Sequence, residues 1–339
     1  MSPSVVVKAP HARRRVAPST LACLLGVASA SAQTIDPRVV AAFGPGCTPV
    51  RETAIAAGEH KVIALFMEGA PVVSRPVYYT IYDIQSGIWS EGIVPMGIFV
   101  DVADPSIVYD PQSCDFVLTA IGQNSLTAHV VVARYDARDA KFSSWVSVHQ
   151  GAGLSLDKTW IVAGEPGEFY IVYWRTPGYA YRRWTAGGDT WEGGDITVDS
   201  RRVLGGWCAQ PTVAGDGPLY VAYMHADNRI RFLSGQDLPG NLVDFAYLTD
   251  DQTRPPPPIE VRLNRADVTG YLPGTFSAFR TPQLVADPTN ANRLYLVYHD
   301  TGTADPSDRD VNIYLHKLTP TLFGGWQVGR RRARSPASA

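Results

Sequence analysis

The stretch DKTWIVAGEPGEFYIVYW, Asp157 to Trp174, holds two apolar runs joined by a Glu165-Pro166-Gly167 turn, with a charged pair at its head. Neither run alternates cleanly between polar and apolar residues. Both are rich in β-branched and aromatic residues, so they read as strands buried on two faces. The Pro-Gly dipeptide reverses the chain between them. The same form recurs at 53–67 (TAIAAGEHKVIALFM), 105–121 (PSIVYDPQSCDFVLTAI), 211–224 (PTVAGDGPLYVAYM) and 282–298 (PQLVADPTNANRLYLVY). The anchors Ile55, Ile107, Ile161, Val213 and Leu284 lie 52, 54, 52 and 71 residues apart.

Such a period is the mark of a repeat architecture. Each unit continues with a third strand, at 77–83, 129–136, 179–185, 229–234 and 311–318. A fourth is marked by Trp89, Trp145, Trp191 and Trp326, and by VDFAYL (243–248) in the fourth unit. These tryptophans are expected to plug the space between units. Four antiparallel strands per unit, with no helical periodicity, predict an all-β fold, a β-propeller with five four-stranded blades. The long last interval contains PPPP at 255–258 and reads as an insertion over 249–279. A six-bladed ring, completed by a blade hidden there or by segment 35–44, is the alternative.

The N-terminus reads as an export signal: Lys8 and Arg13–Arg15, an apolar run to Val27, then Ala30-Ser31-Ala32 before Gln33. Residues 1–32 are therefore assigned to a signal peptide, 33–328 to the propeller and 329–339 to a solvated, Arg-rich tail. The expected location is secreted or periplasmic, with no membrane span after cleavage. Removing the signal takes the formal charge from −2 to −6, and the four arginines of the tail leave a body near −10. That balance excludes nucleic acid as the main partner. Cys47, Cys114 and Cys208 remain; their spacing fits no zinc pattern, and buried free thiols are expected.

At this point the residues resemble a known family. VRETAIAAG, DKTWIVAG with EFYIVYW, and AQPTVAGDGPLYVAY are similar to the repeats of secreted bacterial sialidase-like (BNR/Asp-box repeat) propellers. WTAGGDTW (184–191) is similar to an Asp-box that keeps Gly188, Thr190 and Trp191 and has Trp184 and Ala186 at its Ser and Asp positions. Arg51 stands where the resemblance places the first carboxylate-gripping arginine of sialidases; the Phe, Ile and Pro of that motif are absent. The resemblance implies a glycan or glycoconjugate partner and a monomer.

Propeller geometry puts the approach to strand one and the exit of strand two on one face. Glu52, Asp104 and Asp157 precede strand one in consecutive units, and paired carboxylates can divide acid and base work on a glycosidic bond. They are the candidate catalytic residues. Arg51, Glu68, Lys158, Arg175, His225, His299 and Asp300 are the candidate substrate-binding residues. Asp before a strand also caps turns, and Asp157-Lys158 also reads as a surface pair. No cofactor and no metal centre are expected; the Asp-rich loop with Asp305, Asp308 and Asp310 offers a calcium site. Three functions follow. The chain recognises carbohydrate at the axial face; or it is a glycosidase using paired carboxylates; or it is a non-catalytic scaffold. If it is an enzyme, it is a sialidase-like glycoside hydrolase.

Overall fold

The computed structural model describes residues 50–68, 75–124, 127–151, 155–185, 190–205, 209–214, 217–225, 227–238, 242–250, 257–264, 282–287, 289–301, 311–321, 325–329 and 332–334. The signal peptide, segment 35–44, Cys47, Cys208 and the loop with Asp305, Asp308 and Asp310 lie outside them, as does the centre of the Asp-box-like segment.

Every described element is a strand, and the strands form antiparallel sheets that follow one another along the chain. Sheet 1 holds β1 (Val50–Ala57), β2 (Lys61–Glu68), β3 (Val77–Asp83) and β4 (Trp89–Ile93). Sheet 2 holds β5 (Asp101–Asp110), β6 (Asp115–Asn124), β7 (Thr127–Asp136), β8 (Lys141–Phe142) and β9 (Val146–Gln150). Sheet 3 holds β10 (Leu156–Ala163), β11 (Phe169–Arg175) and β12 (Gly178–Trp184). A short hairpin, β13 (Thr197–Val198) and β14 (Arg201–Arg202), follows it. Sheet 4 holds β15 (Ala209–Val213), β16 (Leu219–His225), β17 (Arg229–Leu238), β18 (Leu242–Tyr247) and β19 (Glu260–Arg262). Sheet 5 holds β20 (Gln283–Asp287), β21 (Asn290–Thr301), β22 (Val311–Pro320), β23 (Trp326–Val328) and β24 (Arg332–Arg334).

The opening stretch forms β10 and β11, paired from Leu156↔Arg175 to Ala163↔Phe169. Gly164 and Glu168 close the turn, the Gly164 amide donating to the Glu168 carbonyl at 2.9 Å. First strands of successive sheets touch: β1 meets β5, β5 meets β10, β10 meets β15, and β15 meets β20. The sheets bury their faces against each other. Sheets 1 and 2 share Ile63, Leu65, Val77, Phe116, Leu118 and Val131; sheets 4 and 5 share Tyr220, Phe232, Leu284, Leu296 and Tyr314. Each such Leu, Ile or Phe contributes ~1.5–3 kcal/mol by leaving water.

Several details differ from the sequence reading. The proline-rich insertion supplies a strand, because β19 adds to β17 from Arg229↔Arg262 to Arg231↔Glu260. In the segment read as a tail, Arg332–Arg334 pairs with Ile313–Leu315. Among the described residues sheet 3 has no regular fourth strand; isolated bridges Ala180↔Asp195 and Arg183↔Glu192 stand at its edge. Trp145 is buried as a plug should be, but Trp89 is 50% exposed and leans on Tyr82. Cys114 is free and exposed rather than buried, since it sits in the β5–β6 turn at a φ of 62°. The repeat anchor Ile55 is 69% exposed because Ala54 and Ala56 face sheet 2 instead.

Candidate functional site

Three consecutive first strands carry the same defect. The β1–β2 register shifts between Arg51 and Ala54, the β5–β6 register between Ala103 and Ser106, and the β10–β11 register between Asp157 and Thr159. At each bulge one non-glycine residue adopts a left-handed backbone: Glu52 (φ 50°), Asp104 (φ 55°) and Lys158 (φ 42°). A bulge re-aims the side chain it carries. Side chains with a Cβ pay for this conformation, so its repetition marks positions where direction matters more than local comfort.

The three side chains are aimed at one another. The Lys158 ammonium lies 2.6 Å from Glu52 Oε1 and also contacts Asp104 Oδ1. Two hydrogen-bond lengths on one nitrogen hold the two carboxylates within ~6 Å. Asp157 accepts the Lys158 backbone amide at 2.9 Å. Thr159 Oγ1 donates to the Asp104 carbonyl at 3.1 Å, and Ser106 Oγ accepts the Ile161 amide at 3.2 Å, so β5 and β10 are fixed to each other. Other aspartates behave differently. Asp83, Asp110 and Asp136 bond the amides or hydroxyls of their own turns.

Crowding divides the acids electrically. Burial, and then the Asp104 carboxylate, push Glu52 up to about 7 against the pull of Lys158. Burial and Asp104 likewise push Asp157 up to about 6. Burial works against ionisation of Asp104 too. Hydrogen bonds from Glu52 and Asp157, with the Lys158 charge, nevertheless hold it below the usual carboxylate range. Burial would discharge Lys158, but Asp104 and Glu52 keep its pKa above the ordinary value. The result is one fixed carboxylate, one fixed ammonium and two carboxyls able to carry a proton near neutrality.

Arg75 and Asp101 border this group, and sequence reasoning missed both. Arg75 Nε and Nη2 donate to Asp101 at 3.0 and 2.5 Å. The Arg75 guanidinium also feels the charges of Glu52 and Asp104. Its position before Pro76 and β3, where the chain crosses from strand two to strand three, was the available signal.

The remaining candidates are placed elsewhere or incompletely. Arg51 and Glu68 pair with Met67 and Val50 in the β1–β2 ladder, and their side chains lie outside the described ones. Arg175 leaves the acids and pairs with Asp195 at 2.5 Å. His225 Nδ1 pairs with Asp227 at 2.7 Å, on sheet 4. His299 stands on β21 opposite Ile313. Asp300 is fully buried and accepts the Asn264 amide at 2.7 Å. Among the described residues no group of three His, Cys, Asp or Glu could hold a metal ion. A cavity of about 410 Å³ lies apart from the acids, lined by Val198, Asp199, Arg201, Arg202 and Tyr247.

No protein-family model matches the sequence, and no curated protein matches it either. Solved structures do match in fold. A Hadza microbial sialidase superposes with a TM-score of 0.53 at 14% identity, over 84% of this chain and 58% of its own. The leech intramolecular trans-sialidase gives a TM-score of 0.54 at 8% identity, over 86% of this chain and 62% of its own. The NanB sialidase from Streptococcus pneumoniae gives 0.52 at 9% identity, with coverage of 86% and 62%. The chain thus spans less than two thirds of each of these sialidases. At such identities the likeness is one of architecture: an all-β chain of antiparallel sheets, similar to β-propeller proteins.

Proposed function

We propose that this chain is an exported, five-bladed propeller that recognises carbohydrate where the bulges of β1, β5 and β10 converge. The observation that carries the proposal is the shared left-handed bulge, which brings Glu52, Asp104 and Lys158 together from three sheets. Sugar hydroxyls are donors and acceptors at once. A carboxylate, an ammonium and two protonatable carboxyls present both kinds of partner within one small patch. Carbohydrate-active proteins among the fold neighbours support this choice of ligand without fixing the sugar.

Hydrolysis is the second reading, and one observation favours it. Glu52, pushed up to about 7, stands within hydrogen-bonded reach of an Asp104 kept ionised. A proton-carrying acid beside an ionised carboxylate is the pairing glycoside cleavage uses, although retaining enzymes keep ~5–5.5 Å between the two carboxyls and this pair is in hydrogen-bonded contact. Against it, Lys158 fills the gap between those carboxylates, the place a reacting sugar carbon would need. Binding is therefore the leading function.

A glycan panel tests this directly. The full chain should bind a restricted set of glycans, and Lys158→Met should lose that binding. Release of sugar from a glycoside panel, abolished in Glu52→Gln, would promote the second reading. Absence of both binding and release would leave a scaffold and refute the proposal.

A further inference from the structure

Sheet 3 turns one face toward sheet 2. On it Ile171, Tyr173 and Arg175 alternate along β11, opposite Arg182, Ala180 and Gly178 of β12. Ile171 and Ala180 join a core with Val117, Ile121, Ala128 and Val130 of sheet 2. Beyond them the same face becomes basic. Arg175 and Arg202 share one carboxylate, Asp195, at 2.5 and 3.2 Å. Arg202 also donates to the Arg175 carbonyl at 2.5 Å, which fixes β14 against the end of β11. Arg182 Nη2 donates to Nδ1 of His149, on β9 of sheet 2.

These groups leave donors unused. Burial, then the charges of Arg182 and Arg175, pull His149 down to about 4, so its ring is neutral at neutral pH. Because Nδ1 accepts from Arg182, the ring proton sits on Nε2. That Nε2, the Tyr173 hydroxyl, Arg182 Nε and Arg202 Nε are all buried without a hydrogen-bond partner. Tyr173 is only 1% exposed, its ring is 5.6 Å from that of His149, and Arg182, Arg175, Asp195 and Arg202 all act on its hydroxyl. Buried donors are normally paired, and several orphans in one place call for an explanation. Arg202 also lines the cavity of about 410 Å³.

Four of the unmet groups are donors; the fifth, Asp195 Oδ1, already lies within ion-pair distance of Arg175 and Arg202, so the cluster sets three guanidiniums against one occupied carboxylate. A ligand that completes this set must be an acceptor and an anion. The donors come from β9, β11, β12 and β14, hence from several directions, which suits a tetrahedral group better than a planar one. The geometry points to a binding site for a small tetrahedral oxyanion, a phosphate or sulfate group, held by Arg175, Arg182, Arg202, Tyr173 and His149. This site is separate from the acids of the first strands and does not depend on the glycan reading.

Titration of the full chain with inorganic phosphate and with sulfate, by calorimetry at constant ionic strength, tests it. Saturable binding is expected, with acetate far weaker. Arg182→Gln should weaken binding by about tenfold or more, and Tyr173→Phe by about threefold, since one removes a charged donor and the other a neutral one. If Arg182→Gln does not fold, Tyr173→Phe carries the test, because it keeps the buried ring. Phenyl phosphate binding more tightly than phosphate would identify an ester as the ligand; the reverse order would identify the free ion. No saturable binding, or unchanged affinity in Tyr173→Phe, would overturn the proposal.

Discussion

Lys158 governs how its neighbouring acids titrate. It neutralises Asp104 and contacts Glu52, yet Glu52 remains displaced toward the protonated form by burial and by Asp104. The consequence for stability has a definite sign. Unfolded Glu52 loses its proton near 4.5 and folded Glu52 near about 7, so its contribution is full below the first value and is lost as pH rises to the second. Asp157 acts in the same sense up to about 6. Asp104, held low, acts oppositely: its contribution is present above the ordinary value of 3.8 and is lost as pH falls. Glu52→Gln should therefore lose less stability than the wild type between pH 5 and pH 8 in urea titrations. Parallel pH profiles for the two proteins would contradict the assigned protonation. The charged pair at 157–158 was visible in the sequence as a feature standing before a strand. Its reach was not, because no glycine marks the left-handed kinks at Glu52, Asp104 and Lys158. Local spacing could not say that a lysine of one repeat answers carboxylates of the two before it.

At the scale of elements, sheets 3 and 4 are joined by a buried ion network. Arg183 on β12 donates to Glu168 Oε1 at 2.9 and 2.6 Å and to Asp237 Oδ2, on β17, at 2.6 Å. The Tyr170 hydroxyl donates to both Asp237 oxygens at 3.1 Å, and its ring lies beneath the Arg183 guanidinium. Arg183 and Glu168 side chains are only 10% and 12% exposed. Arg183→Met would strand Glu168 without its counter-charge and should cost about 3–5 kcal/mol in urea unfolding. A loss below about 1 kcal/mol would show that water replaces the guanidinium. The same region shows the limit of pattern reading. Strands β10 to β12 follow from apolar runs and a Pro-Gly turn, whereas the irregular edge of sheet 3 does not. Gly193, at a φ of 150° and against the Tyr181 carbonyl, permits an approach that no side-chain pattern announces. Strand β19 was hidden by its proline neighbours. It is held by Glu260, which lies between Arg229 and Arg231 of the strand it joins.

For the whole molecule, the period of the anchors carried the architecture. A strand pair recurring about every fifty residues produced sheets in chain order, each first strand against the next. That much was legible because burial on two faces leaves near-continuous apolar runs. The exposed apolar residues of the first and last sheets were not foreseen. They include Ile55 on β1, and Val285, Ile313 and Leu315 on β20 and β22. The export reading concerns the other end of the chain. Amino-terminal sequencing of protein recovered from the secreted fraction should begin at Gln33; retention of the basic segment with Arg13–Arg15 would refute it.

The central claim is that a polar mouth built by three bulged first strands binds sugar. The most direct measurement is calorimetric titration of the best glycan from the panel into the wild type and into Asp104→Asn, with folding of both verified by circular dichroism. The account predicts at least about a tenfold loss of affinity, since the substitution removes the charged acceptor that positions Lys158. Equal affinity in a folded Asp104→Asn protein would place the sugar elsewhere and contradict the account.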